Sequence, residues 1–338
     1  MAKVVVITGA SSGIGLSHAV FLTQKGYTVF GTCRDKSKID LEVLKKIYLT
    51  DHTKWKFTDK TKTKVEAKKL LIPKKIETNL VELLKKITFF NMDVTSDESV
   101  TQAIKAMETE AKKINGKGID VLVNNAGVGF YGSAEELSME DWKVTFETNF
   151  FGMLRTIRAI LPSMKERKNG QIINTSTLGG LISIPYQSHY SASKAAIKIL
   201  TEGLFMELKQ FNIKVSILIP SDINTSFNRN TLNVSSKEDD EQLSSINISE
   251  MIENIPISKD SEYYGAAKKA WDVIIKNLIV APPPIVVSKT LYRIIKARKP
   301  RIHYKSGGLD QIILLYLIRR VVTDDFTYWL LPVYYGIT

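Results

Sequence analysis

The stretch Thr8-Gly-Ala-Ser-Ser-Gly-Ile-Gly15 constrains this chain more than any other, because of what stands on either side of it. Before it run four apolar residues, Val4-Val-Val-Ile7, and after it begins a helical pattern over 14–24. A strand that turns sharply into a helix through glycines is a phosphate cradle. Gly9 permits the turn, Gly13 lets backbone approach a pyrophosphate, and Gly15 permits close packing; the helix N-terminus adds N–H groups and partial positive charge. Standing alone, such a loop is also compatible with a plain strand-to-helix turn.

The rest of the chain repeats the strand-then-helix order. Short apolar runs recur at 28–32, 88–92, 121–124, 171–175, 214–219 and 301–304, and helical patterns cover 96–114, 139–166, 190–211 and 266–279. Runs buried on both faces and separated by helices are what a parallel sheet requires, since each crossover returns over one face. The expectation is an α/β fold, a single doubly wound domain with helices on both faces, broken at Pro220 and Pro282-Pro-Pro284.

Two segments depart from that order. Roughly fifty residues separate the second and third strands, far more than a crossover needs. There Asp40-Leu-Glu-Val-Leu-Lys-Lys-Ile47 is nearly echoed by Leu80-Val-Glu-Leu-Leu-Lys-Lys-Ile87, which is read either as a duplicated or inserted helix or as chance among Leu and Lys. The Lys-rich stretch between, with Trp55, reads as a surface excursion. The other segment, 226–261, is rich in Asn, Ser, Asp and Glu and reads as a loop.

The formal net charge of +12 collects largely in the lysines of 36–86, without the aromatic and basic pattern of a nucleic-acid module, so nucleic acid is not an expected partner. Cys33 has no partner for an intrachain disulfide, and the cytoplasm is the expected location. His18, His52, His189 and His303 lack metal-ligand spacing, so no metal is expected. His189, beside Tyr190, reads as a satisfied core or surface histidine more readily than as a pocket residue. The apolar stretches 312–318 and 328–335 are interrupted by charges and do not read as spans.

Tyr190-Ser-Ala-Ser-Lys194 carries the chemistry. On a helix, residues four apart share a face, so phenol and ammonium enter one site, where the cation favours the phenolate and lets Tyr190 shuttle a proton. In isolation such a pair is usually a surface pair. Its order relative to the glycine loop, with spacing Gly-x3-Gly-x-Gly, and to Asn124-Asn-Ala-Gly127 resembles the short-chain dehydrogenase/reductase family, nearest its 17β-hydroxysteroid dehydrogenase, retinol dehydrogenase and long-chain lipid ketone reductase members.

That resemblance covers roughly 3–35 and 88–225, with a looser match through 300–304. It implies a Rossmann-like domain with a mainly parallel seven-stranded sheet and a nicotinamide cofactor. It assigns Gly9, Ser11, Ser12, Gly13, Ile14, Gly15 and Gly127 to the cofactor, Asp93 and Val94 to its adenine, and Asn125 and Ala126 to its adenosine side. Beyond the sixth strand Pro220, Ile223 and Thr225 would contact the nicotinamide, with Ser221 where the family carries glycine. Tyr190 and Lys194 complete the cofactor contacts and are catalytic. Asn149 is catalytic as the helix residue that links the lysine to proton supply through its backbone and a water.

The family's fifth strand ends in paired serines, of which the second bonds the substrate oxygen. Ungapped counting places Thr177 there, with Ser176 as the second choice, and either residue is also readable as a strand-end cap. The second strand ends Gly31-Thr-Cys-Arg-Asp35, so Arg34, helped by Ser11, would bind a 2'-phosphate, making NADP(H) the expected cofactor, while Asp35 would point away.

The expected substrate is a hydrophobic ketone or alcohol between walls at 128–132 and 178–186. The expected domains are 1–305, with an insertion at about 36–87 and a lid at about 226–262, and an apolar extension, 306–338, that packs on the domain, a partner subunit or a membrane surface. A homodimer or homotetramer is expected. The alternative reading is an NADP-binding scaffold without turnover.

Overall fold

A computed structural model describes residues 3–58, 65–225, 254–308, 311, 313 and 323–337. Its centre is β1 (Val4–Ile7), all four residues fully buried. Alternation along β1 divides the interior: Val5 and Ile7 enter one apolar layer, Val4 and Val6 the other. A residue buried on either face of a strand must be apolar, which is why β1 lacks the polar alternation of a half-exposed strand.

Around it stand β2 (Thr28–Cys33), β5 (Thr88–Asn91), β6 (Val121–Asn124), β7 (Gly170–Thr175), β8 (Ile213–Pro220) and β9 (His303–Ser306). Their order is β5-β2-β1-β6-β7-β8-β9, every neighbour parallel, as the sequence implies. Chain order reverses between β1 and β6, and a crevice opens there beyond the strand ends. One face carries α1 (Gly13–Gln24), the other α5 (Asp97–Asn115), α7 (Gly152–Glu166) and α8 (Ser188–Glu207).

Three features were not legible in the periodicity. The helix expected over 139–166 is α6 (Met139–Phe146) and α7 joined by one π-helical turn, Glu147–Phe151. The insertion is folded: α2 (Leu41–Asp51) and α4 (Leu80–Lys85), the echoed segments, pack on each other and on α1. Between them β3 (Thr53–Phe57) and β4 (Val65–Leu70) form an antiparallel ribbon, followed by α3 (Lys74–Glu77). The ribbon is not a free excursion. Trp55 and Val65 pack against Trp271 and Ile275 of α9 (Tyr264–Val280), while Lys54 and Lys56 face solvent. The third feature is α10 (Ile285–Lys296), which begins directly after Pro284 and buries Val287, Leu291, Ile294 and Ile295 against α1.

Most of the expected lid, 226–253, lies outside the described residues, as do most of 309–322. The last described helix, α11 (Asp324–Tyr334), meets α9, where Asn277 Nδ2 donates to Tyr334 Oη at 2.9 Å, and leaves Phe326, Trp329 and Val333 exposed. Among the described residues no single helix is long and apolar enough to cross a membrane.

Candidate active site

The glycine loop and the Asn-Asn-Ala-Gly segment are built against each other. Thr8 Oγ1 accepts the N–H groups of Asn125 and Ala126, both at 2.9 Å, and Asn125 Nδ2 donates to the Thr8 carbonyl at 3.1 Å. Gly9 holds a left-handed φ of +64°, and a Cβ there would stand 3.0 Å from Ala126 Cα. At Gly15 a Cβ would lie 2.1 Å from the Gly9 carbonyl oxygen, so only glycine lets α1 approach. Two motifs far apart in sequence thus make one wall.

That wall borders a cleft of about 920 Å³. Gly9, Ser11, Ser12, Gly13 and Ile14 line it at the start of α1. Arg34, Asp93 and Val94 line it at the ends of β2 and β5, and Asn125, Ala126 and Gly127 at the end of β6. Ser176, Thr177, Tyr190 and Lys194 line it beyond β7, and Pro220, Ile223 and Thr225 beyond β8. Two expected residues do not. Gly15 is buried behind the loop, where it serves packing rather than contact, and Asn149 stands behind the cleft wall beside a small internal void.

These residues fit a dinucleotide. Ser12, the N-cap of α1, makes no side-chain cap bond, and the first turn opens on the cleft with its N–H dipoles. At the end of β2 the exposed Arg34 and Lys38 supply positive charge. The Asp35 carboxylate, which would oppose an added phosphate, also lines the cleft, and its Oδ1 accepts from Ser37 N at 2.9 Å and Ser37 Oγ at 2.7 Å.

Tyr190 and Lys194 share one face of α8, with Lys194 Nζ 5.6 Å from the Tyr190 ring centre. Burial pushes the Tyr190 phenol well above its ordinary value, and the Asp222 carboxylate pushes it the same way. Burial lowers Lys194 to about 8. Both shifts disfavour the charged form of the group, and for the phenol the direction is opposite to what the lysine by itself predicts.

Lys194 Nζ donates to the Thr175 carbonyl at 3.3 Å. The Ser176 hydroxyl is committed to the backbone, donating to the Lys194 carbonyl at 2.8 Å, and the serine is almost fully buried. Thr177 is more open; its hydroxyl makes only long contacts, to the Pro220 carbonyl at 3.3 Å and from Gly179 N at 3.4 Å. Asn149, in the π-helical turn, clamps Val128 through N–H and carbonyl (2.8 and 2.9 Å) and donates to Ser193 Oγ at 3.0 Å. A π-turn changes the i→i−4 ladder and is common at functional sites.

The apolar wall differs from the sequence expectation. Val128, Ile184 and Gln187 line the cleft, but Tyr131 turns away, donating to the Ala267 carbonyl at 2.7 Å and packing on Trp271. In its place stand Val43 and Ile47 of α2, Ile274 and Leu278 of α9, and Tyr335. No sequence signal pointed to these, because they are ordinary apolar helix positions. His189 belongs to the core: Nε2 accepts from Phe130 N at 3.1 Å, and burial lowers its pKa to about 4. Ser221, in the glycine position, anchors its turn by donating N–H to the Ser306 carbonyl (2.8 Å) and accepting Gly308 N on its hydroxyl (2.9 Å).

A family model described as short chain dehydrogenase matches residues 63–235, just over half of the chain. A 3-ketodihydrosphingosine reductase of Bacteroides thetaiotaomicron is 28% identical over 335 residues, 99% of this chain and 98% of that protein. Retinol dehydrogenase 8 of Bos taurus is 37% identical over 229 residues, 67% of this chain and 60% of that protein. The crystal structure of a short-chain dehydrogenase from Streptomyces avermitilis superposes with a TM-score of 0.64 at 26% identity, covering 97% of this chain and 96% of that one. The chain thus belongs to the short-chain dehydrogenase family, oxidoreductases that act with a nicotinamide cofactor on small-molecule substrates.

Proposed function

We propose that this chain is an NADPH-dependent reductase of an apolar, long-chain ketone, with Tyr190 as the proton donor. The observation that carries the reading is the placement of the part-buried Tyr190 and of Lys194, side by side on one helix face, in the same cleft as the glycine loop and Arg34. When bound, the nicotinamide supplies hydride to the carbonyl carbon.

The chain's own residues do the rest. Tyr190 Oη gives its proton to the developing alkoxide, and Lys194, cationic at neutral pH, stabilises the phenolate left behind. Thr177 orients the substrate oxygen with the hydroxyl that Ser176 cannot offer, since that one is bonded to backbone. Asn149 positions Val128 and Ser193, and through Ser193, which donates to the Tyr190 carbonyl at 2.7 Å, the first turn of α8.

Arg34 and Lys38 support NADP(H) over NAD(H). A long-chain lipid substrate is supported by the apolar positions on α2, α9 and the segment after α11, and by a relative, named for a sphingoid ketone, that aligns over nearly the whole chain including those elements. Following NADPH absorbance with 3-ketodihydrosphingosine, retinal, a steroid ketone and a short aliphatic ketone tests the reading. Turnover of the first is expected. Silence on every ketone would favour a cofactor-binding scaffold, and equal kcat/KM with NADH would overturn the cofactor assignment.

A further inference from the structure

The segment after β9 returns to the cleft at two points. Gln311 holds Asp222, in the cleft wall, from two sides: its Oε1 accepts Asp222 N at 3.1 Å and its Nε2 donates to Asp222 Oδ2 at 2.7 Å. Farther on, α11 stops at a left-handed glycine, Gly336 at φ +66°, with Gly336 N donating to the Val333 carbonyl and Ile337 N to the Pro332 carbonyl, both at 3.0 Å. These two bonds make a Schellman cap, which fixes the backbone where the helix ends, and the residue so fixed, Tyr335, lines the cleft.

Neighbouring tyrosines have already spent their hydroxyls: Tyr131 donates to the Ala267 carbonyl at 2.7 Å, and Tyr334 accepts from Asn277 Nδ2 at 2.9 Å. Among the described residues nothing hydrogen-bonds the Tyr335 hydroxyl. Burial raises its pKa and the Asp222 carboxylate raises it further, as both do for Tyr190, so the two phenols stand around one carboxylate at the catalytic end of the cleft. We propose that Tyr335 is a specificity-determining residue, hydrogen-bonding a hydroxyl or amine carried beside the reacting carbonyl of an amphipathic ketone. This rests on the reductase reading above and narrows its substrate class. A phenol both donates and accepts, and a substrate that displaces water from it without bonding it leaves a desolvated polar group unpaired. The polar end of the substrate then lies between Tyr190 and Tyr335, and its apolar chain lies along Ile274 and Leu278 of α9.

Tyr335→Phe removes the hydroxyl and keeps the ring, so Tm is expected to stay unchanged. The full chain and this variant are compared with NADPH on two ketones, 3-ketodihydrosphingosine and octadecan-3-one, which has the same carbon chain without the amine and hydroxyl. The expected result is a fall in kcat/KM of at least about tenfold for the first and a change within about twofold for the second. A loss shared equally by both ketones would make Tyr335 a structural wall and overturn the proposal, as would no loss on either. Silence of the wild type on both ketones sinks the reductase reading by itself. In that case, or where only the first ketone is reduced, Tyr335 is judged by calorimetric binding of dihydrosphingosine and octadecan-3-ol to the NADPH-saturated chain. A loss in Tyr335→Phe of at least about tenfold in affinity confined to dihydrosphingosine sustains the proposal; equal affinity of the two proteins for it, or an equal loss on both alcohols, overturns it.

Discussion

The cleft and the interface between α1, α2 and α10 both bury hydroxyls beside titratable side chains, yet only one opens on a cavity. In the interface Ser17 Oγ lies 3.3 Å from His52 Nε2 and 2.9 Å from Ser288 Oγ, which lies 2.9 Å from His18 Nδ1. By residue type this looks closer to a nucleophile and its base than Tyr190 and Lys194 do. All four are fully buried and none lines the cleft. Burial lowers His18 to about 3 and His52 to about 4, the latter against a bond to the Tyr48 carbonyl. The network ties the insertion to α1 and α10. A polar cluster sealed by helices specifies packing, whereas chemistry requires the same groups at the rim of a space that substrate can enter.

The contrast can be broken first at Tyr190. Tyr190→Phe is expected to lower kcat by about 10³-fold, some 4 kcal/mol, with NADPH affinity and Tm nearly unchanged; a comparable loss from His52→Gln would erase the distinction. Thr177→Ala should lower kcat/KM about 10²-fold with little effect on Tm, whereas Ser176→Ala should cost about 1 kcal/mol of stability and leave most activity, because its hydroxyl serves the backbone. The reverse pattern would exchange their assignments.

The interface should declare itself in acid. His18 and His52 are held neutral below the ordinary value of 6.5, so the unfolded chain binds more protons as pH falls through 6.5 towards 4, and stability is lost over that window. The expected loss at pH 5 is about 2 kcal/mol per histidine, read as a falling urea midpoint that His18→Gln and His52→Gln flatten. The smallest effect belongs to Lys194. With its pKa lowered to about 8, kcat/KM for reduction should decline above that pH, by about tenfold at pH 9, and Lys194→Arg should move the limb upward. A profile flat to pH 10 would remove Lys194 from the protonic role.

The strands and the catalytic helix were legible because their signals are local. Val4–Ile7 is apolar at every position, as a strand covered on both faces must be, and Tyr190 and Lys194 share a face on any helix. The insertion was not, since Trp55 alternating with lysines describes a surface strand equally well whether or not α9 waits to cover it. Nor was the fate of the hydroxyls: Ser176 and Thr177 are adjacent and chemically alike, and only the carbonyl of Lys194 beside one of them separates their uses.

The sequence by itself determined the parallel sheet and the glycine turn, because strand period and turn chemistry act over a few residues, and the order of its motifs, by resemblance to one family, singled out Tyr190 and Lys194 as the candidate acid and its cation. Only the tertiary structure decided which apolar residues wall the cleft and which histidines are sealed. Those outcomes depend on contacts such as Ser17 with Ser288 and Asn224 with Thr53, 271 and 171 residues apart, whose partners no local pattern can name.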